Sequence, residues 1–188
     1  TQSFWRAPYM CSFRSGNFDF IAIATHTRWG KSDAGRQTEL QMLADWIDAR
    51  FNNKFVEDHD LIVMGDFNVP KIGDKFLKAL TSRGLQVSDA LQNLKAGDQV
   101  IGGSNLKKDA RYDQILHLPT LKKRFTNSDG TLDFFGSDSR IKELFPDKNY
   151  TREKFSFQLS DHFPVWVQIK TDIDGERLNQ IVQDSKKA

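Results

Sequence analysis

The chain has 188 residues, a length suited to one domain, and its 38% hydrophobic share with fifteen Phe and four Trp is enough to bury a core. Lys and Arg number 27 against 25 Asp and Glu, so the net charge of +2 neither demands nor forbids a nucleic-acid partner. The single cysteine excludes an intrachain disulfide, and no apolar run reaches the length of a membrane span.

Residues 9–15 and 18–27 flank Gly16-Asn17, a pair suited to positive φ, and predict a β-hairpin. Cys11 lies in an alternating Phe-rich stretch and is read as a buried, inert thiol. The second strand is apolar enough for burial on both faces and ends in Thr25-His26-Thr27, before a polar loop through Gly30 and Asp33. Residues 34–51 predict a helix capped by Ser32 or Asp33, with Leu40, Leu43, Ala44, Ile47 and Phe51 on its apolar face. Residues 61–64 form a short strand broken by Gly65. A second helix is expected over 74–83, stopped by Gly84, and a short strand over 85–87.

Residues 95–109 are polar and read as a loop, and 112–118 return to strand character. Further strands are expected over 131–135 and 163–169, a short helix over 139–145 and a surface loop over 147–154. The tail from 174 to 183 has helical spacing through Leu178, Ile181 and Val182. The chain shows no repeat, low-complexity segment or linker. Mixed strands and helices place it in the α/β or α+β class.

Four clusters set polar, ligand-like residues just past an apolar strand: Thr25-His26, Gly65-Asp66-Phe67-Asn68, Tyr112-Asp113-Gln114-Ile115 and Ser160-Asp161-His162-Phe163-Pro164. Each alone has an ordinary structural explanation. An Asp after a strand caps a turn, a lone His is a hydrogen-bonded structural residue, and Asn68 before Val-Pro shapes a loop. Together they carry more. Phosphodiester cleavage needs charge neutralisation at the phosphate, an activated water and a protonated leaving oxygen. Asp66, Asp113 and Asp161, His26 and His162, and the Asn68 amide are the groups that supply those parts.

Gly-Asp-Phe-Asn at 65–68 and Ser-Asp-His-Phe-Pro-Val at 160–165 resemble the two signature motifs of the endonuclease/exonuclease/phosphatase superfamily, which is built on the DNase I-like fold. They stand in that family's order, and Tyr112-Asp113-Gln114-Ile115 between them resembles its third motif. Arg36 and Glu39 match its Arg-x-x-Glu pattern, taken as a structural ion pair, and Arg6 and Pro8 fit before the first strand. The resemblance covers nearly the whole chain. It implies an α/β, four-layer sandwich of two mixed β-sheets flanked by helices. Carried over position by position, it implies that His162 activates the attacking water and Asp113 orients it. Asp161 and Asp66 would bind the metal, Mg²⁺ or Mn²⁺, and Asp66 and Asn68 would hold the scissile phosphate or a metal. His26 would donate to a phosphate oxygen or the leaving group. This histidine resembles the branches with DNase I, sphingomyelinases and inositol phosphatases more than apurinic endonucleases.

The implied substrate is a phosphodiester, with nucleic acid preferred to a phospholipid or sugar phosphate; a non-catalytic binding domain is the reading from another class. Arg28, Lys31, Lys107, Lys108 and Arg111 could contact phosphates, with Trp29 placed to stack on a base. The chain also departs from the family. The family opens with an Asn-bearing strand and a strand ending in a metal-binding Glu, and this chain begins at the hairpin that follows both. Residues 1–188 are therefore expected to be a single partial domain whose N-terminal strands are missing. Such a chain should bind Mg²⁺ weakly, show little activity alone, and self-associate or be completed by a separate N-terminal segment.

Overall fold

The computed structural model describes residues 3–30, 32–56, 58–70, 73–88, 103–134 and 138–186. β1 (Tyr9–Ser15) and β2 (Phe18–His26) form the expected antiparallel hairpin, with Gly16 at φ +61° in its turn. Helix α1 (Asp33–Phe51) then crosses to β3 (Leu61–Asp66), which runs parallel to β2. The Ser32 hydroxyl caps α1 by accepting from the Gly35 N–H at 3.2 Å. The stripe of Leu40, Leu43, Ala44, Ile47 and Phe51 is buried as its spacing predicts. Each large side chain on it contributes about 1.5–3 kcal/mol of burial.

After α2 (Lys75–Leu80), short β4 (Gln86–Val87) and β5 (Asp113–His117) complete a five-stranded sheet of order β1-β2-β3-β5-β4. Leu61, Ile62 and Val63 of its middle strand are all buried, so both faces of that strand are covered. A second sheet pairs β6 (Phe125–Thr131) with β7 (Val165–Ile169). Phe125, Val165, Val167 and Ile169 pack it onto the core of the first sheet, and Phe125 stacks on buried His117 at 4.1 Å. Among the described residues this second sheet is antiparallel and two-stranded, whereas the five-stranded sheet is mixed. Further α-helices among the described residues are α3 (Asp138–Leu144), α4 (Arg152–Ser156) and α5 (Asp174–Ser185), and Pro119–Leu121 forms a 3-10 turn. Among the described residues no helix is long and apolar enough to cross a membrane.

Several local expectations are corrected. β3 is not broken at Gly65 but runs through it to Asp66. The strand expected over 131–135 lies earlier, at Phe125–Thr131. Its Thr-Asn-Ser-Asp-Gly run reads as a turn, yet it pairs with β7 across a register irregularity. The polar stretch 147–154 contains the start of α4, where the Thr151 hydroxyl accepts from the Lys154 N–H at 3.2 Å and Phe155 is buried. Cys11 is exposed, because β1 is an edge strand along which every residue is exposed. Residues 95–102 of the expected loop, Lys31 and Phe135 fall outside the described residues.

Candidate active site

Sheet register assembles the site. His26 at the end of β2 is paired with Asp66 at the end of β3, and Asp66 is paired with Asp113 at the start of β5. Three polar residues, distant in sequence, thus lie side by side across adjacent strands. Gly65 makes this possible: a Cβ built there would lie 1.9 Å from the Thr25 carbonyl oxygen, and its φ is +140°. Only a glycine lets β2 and β3 approach so closely one residue before the carboxylate.

His162 reaches this row from the turn before β7. Its Nδ1 lies 2.7 Å from an Asp113 carboxylate oxygen. An ionised carboxylate only accepts, so Nδ1 carries the proton and Nε2 is the unpaired nitrogen. The carboxylate beside it raises the proton affinity of His162 above the ordinary histidine value, against the opposing effect of burial. One ligand atom each from Asp66, Asp113 and His162 lie within 4.8 Å of one another. His26 Nε2 stands 3.5 Å from Asp66 on the other side. Burial pushes the Asp66 carboxyl up. The Asn68 N–H, donated at 2.9 Å, opposes that shift, and the nearby Asp113 charge adds to it.

All six expected residues are accounted for, with differences in their surroundings. Asp66, Asn68, His26, Asp161 and His162 line one cleft of about 820 Å³, and Asp113 joins it through His162. Asp161 is exposed and lies outside the tight trio of Asp66, Asp113 and His162. Asn68 is buried at φ +52°, and its side-chain amide donates to the Thr27 carbonyl at 3.0 Å. One amide proton of Asn68 is therefore committed to holding the strand ends together.

Arg36 and Glu39 do not pair with each other. The Arg36 guanidinium donates to the Asn68 and Gly30 carbonyls, each at 2.9 Å. The buried Glu39 carboxylate accepts the Trp5 N–H at 2.6 Å and the Arg28 N–H at 2.7 Å. These charge-assisted bonds tie α1 to the loops around the site. Sequence reasoning also missed Ser104. Fully buried, it accepts the Asp113 N–H on its hydroxyl at 3.1 Å and the Phe163 N–H on its carbonyl at 2.6 Å. It links the segments bearing Asp113 and His162, and nothing in a polar loop sequence marks it. Tyr112 stacks on the His162 ring at 5.8 Å.

The donor set suits a hard divalent cation. Asp66 is a mostly buried carboxylate whose charged form is disfavoured by burial and by Asp113, a load that a cation relieves. Asp161 offers a second carboxylate in the same cleft.

No family model matches the sequence, and neither does any curated protein. Solved structures do. The 3' phosphatase NExo from Neisseria, bound to a product DNA hairpin, matches with a TM-score of 0.53 at 13% identity, over 86% of this chain and 64% of its own. The 3'-5' exonuclease NExo from Neisseria meningitidis gives 0.52 at 13% identity, over 80% of this chain and 61% of its own. An endonuclease/exonuclease/phosphatase family protein from Bacteroides thetaiotaomicron gives 0.50 at 19% identity, over 86% and 55%. The chain thus spans 55–64% of the length of these three structures. Its fold, a mixed sheet and a second smaller sheet with helices, is the DNase I-like fold of the endonuclease/exonuclease/phosphatase proteins.

Proposed function

We propose that this chain carries the catalytic residues of a divalent-metal-dependent phosphoesterase that hydrolyses phosphodiester bonds, with nucleic acid as its substrate. The observation that carries the reading is the His162–Asp113 pair, at 2.7 Å, set against Asp66 and His26 at the ends of adjacent strands. Asp113 holds His162 in the tautomer whose Nε2 can take a proton from a water, the arrangement of a general base with its orienting carboxylate. His26 donates to a phosphate oxygen or to the leaving oxygen from the far side of Asp66. The second amide proton of Asn68 is left to donate to a phosphate oxygen, and the Asp66 carboxylate, which only accepts, serves the cation. A Mg²⁺ or Mn²⁺ ion held by Asp66 and Asp161 would supply charge neutralisation at the phosphate.

Nucleic acid is favoured because Trp29 and Lys107 line the same cleft, offering a ring surface and a cation beside the acid–base groups. One of the similar structures, NExo from Neisseria, holds a product DNA hairpin. The test is hydrolysis of plasmid DNA, a phosphoinositide and a sphingomyelin analogue side by side with Mg²⁺ or Mn²⁺. It should be run on the protein in its full natural length and on residues 1–188. DNA cleavage by the full-length protein, reduced about 10²–10⁴-fold by His162→Ala, is the expected result. His162→Ala with unchanged turnover would overturn the catalytic assignment. Cleavage of the lipids alone would overturn the choice of substrate.

A further inference from the structure

Trp29 is 75% exposed, yet the backbone that carries it is held more firmly than an exposed loop needs. On its N-terminal side the Thr27 N–H donates to the Asp66 carbonyl at 2.9 Å, and the Thr27 carbonyl accepts from the Asn68 side chain at 3.0 Å. The Arg28 N–H donates to the buried Glu39 carboxylate at 2.7 Å. On its C-terminal side the Gly30 carbonyl accepts from Arg36 at 2.9 Å, and Arg36 also holds the Asn68 carbonyl. The Arg28 guanidinium lies over the Trp5 ring at 4.7 Å, so it too is committed. Two side chains of α1, Glu39 and Arg36, therefore fix the backbone on either side of Trp29, and Arg36 also fixes the turn after Asp66. The indole itself is left uncovered at the wall of the cleft that contains His26, Asp66 and His162.

An exposed tryptophan loses apolar contact with nothing gained, unless a partner covers it. A tryptophan on a preorganised backbone loses little further entropy when a ring lands on it, which is how rigid aromatic anchors bind. The groups beside it select the partner. A proposed phosphate-binding set and an exposed indole in the same cleft suit a phosphate linked to something planar, and Lys107 on the cleft wall adds a cation for a neighbouring phosphate.

We propose that Trp29 is a stacking platform for one unpaired nucleobase next to the phosphate bound at Asp66 and His162, which makes single-stranded or frayed nucleic acid the preferred ligand. A base inside a duplex has both faces covered by its neighbours, so it offers Trp29 no free face until it is unstacked. This inference rests on the phosphoesterase reading for the position of the phosphate. Its test reads binding, so the two can fail separately.

The experiment measures binding of fluorescent oligonucleotides to the 188-residue chain by anisotropy with Mg²⁺ present. The probes are a single-stranded oligomer, its abasic counterpart, the matching duplex, and phosphatidylcholine vesicles. The variants are Trp29→Ala, Trp29→Phe and, as a control on α1, Trp46→Ala. The expected result is tighter binding of the single strand than of the duplex or the abasic oligomer. Trp29→Ala should weaken single-strand binding about tenfold or more, the order of one stacked base, and leave abasic binding unchanged. Trp29→Phe should recover most of the loss, and Trp46→Ala should show none. Equal affinity of Trp29→Ala and wild type for the single strand overturns the proposal, as does Trp29-dependent binding to vesicles alone. Trp29-dependent binding together with no hydrolysis by the full-length protein keeps the platform and removes the phosphoesterase reading. Hydrolysis that needs His162 but is indifferent to Trp29 does the reverse.

Discussion

Gly65→Ala is the sharpest test of how the site is built. The new methyl carbon would lie 1.9 Å from the Thr25 carbonyl oxygen, about half a normal contact, at a φ of +140°. Neither atom can yield cheaply, because both belong to the paired backbones of β2 and β3. The positive φ alone costs about 1–3 kcal/mol and the steric conflict roughly another 1–3. Together these reach roughly 2–6 kcal/mol, against a total stability of about 5–15 kcal/mol for a domain. At about 2–4 °C per kcal/mol for a chain of this size, Tm should fall by roughly 4–24 °C. Gly84→Ala is the matched control. Gly84 also has a positive φ, +97°, but a Cβ there meets nothing within 4 Å, so only the conformational part of the cost remains. Calorimetric unfolding of both variants separates the two contributions. If Gly65→Ala is no less stable than Gly84→Ala, the close approach of β2 and β3 is wrong, and with it the alignment of His26 and Asp66.

In metal-free protein, the raised His162 proton affinity stabilises the fold fully below the ordinary histidine value of 6.5. That contribution is lost as pH rises through the higher folded value. Tm should therefore decline as pH rises above the ordinary histidine value, and Asp113→Asn should flatten this decline; an unchanged slope in that variant would count against the pair. The raised Asp66 carboxyl acts in the same direction, since its folded state also favours the proton. Glu39→Ala removes the acceptor of two part-buried backbone N–H groups and should cost about 2 kcal/mol or more, with a Tm loss under roughly 4 °C as the refuting outcome. β1 shows Tyr9, Met10 and Phe13 at 72%, 40% and 50% exposure on an edge strand, so the chain should self-associate in sedimentation runs and Phe13→Lys should disperse it. A monomer at every concentration would refute that. Calorimetry should find Mg²⁺ held weakly, as two carboxylates compete poorly with its hydration; tight binding would call for a further ligand.

The sequence by itself determined the local elements whose signals are short-range. The Gly16-Asn17 hairpin and the apolar stripe of α1, with its cap at Ser32 or Asp33, follow from turn chemistry and period, and the structure settles the cap on Ser32. It also marked the candidate site residues, since His26, Asp66, Asn68, Asp113, Asp161 and His162 stand out by type and by their place after strands. Only the tertiary structure decided what those residues touch. Pairing of β2 with β3 and of β3 with β5 sets His26, Asp66 and Asp113 in one row, and no local signal encodes that register. Arg36 and Glu39 sit three residues apart on one helix face, the spacing of an ion pair, yet unpaired backbone groups on neighbouring loops offered each a better partner. Cys11 alternates like a buried residue but lies on an edge strand, and burial depends on what packs across a strand, which its own sequence does not contain.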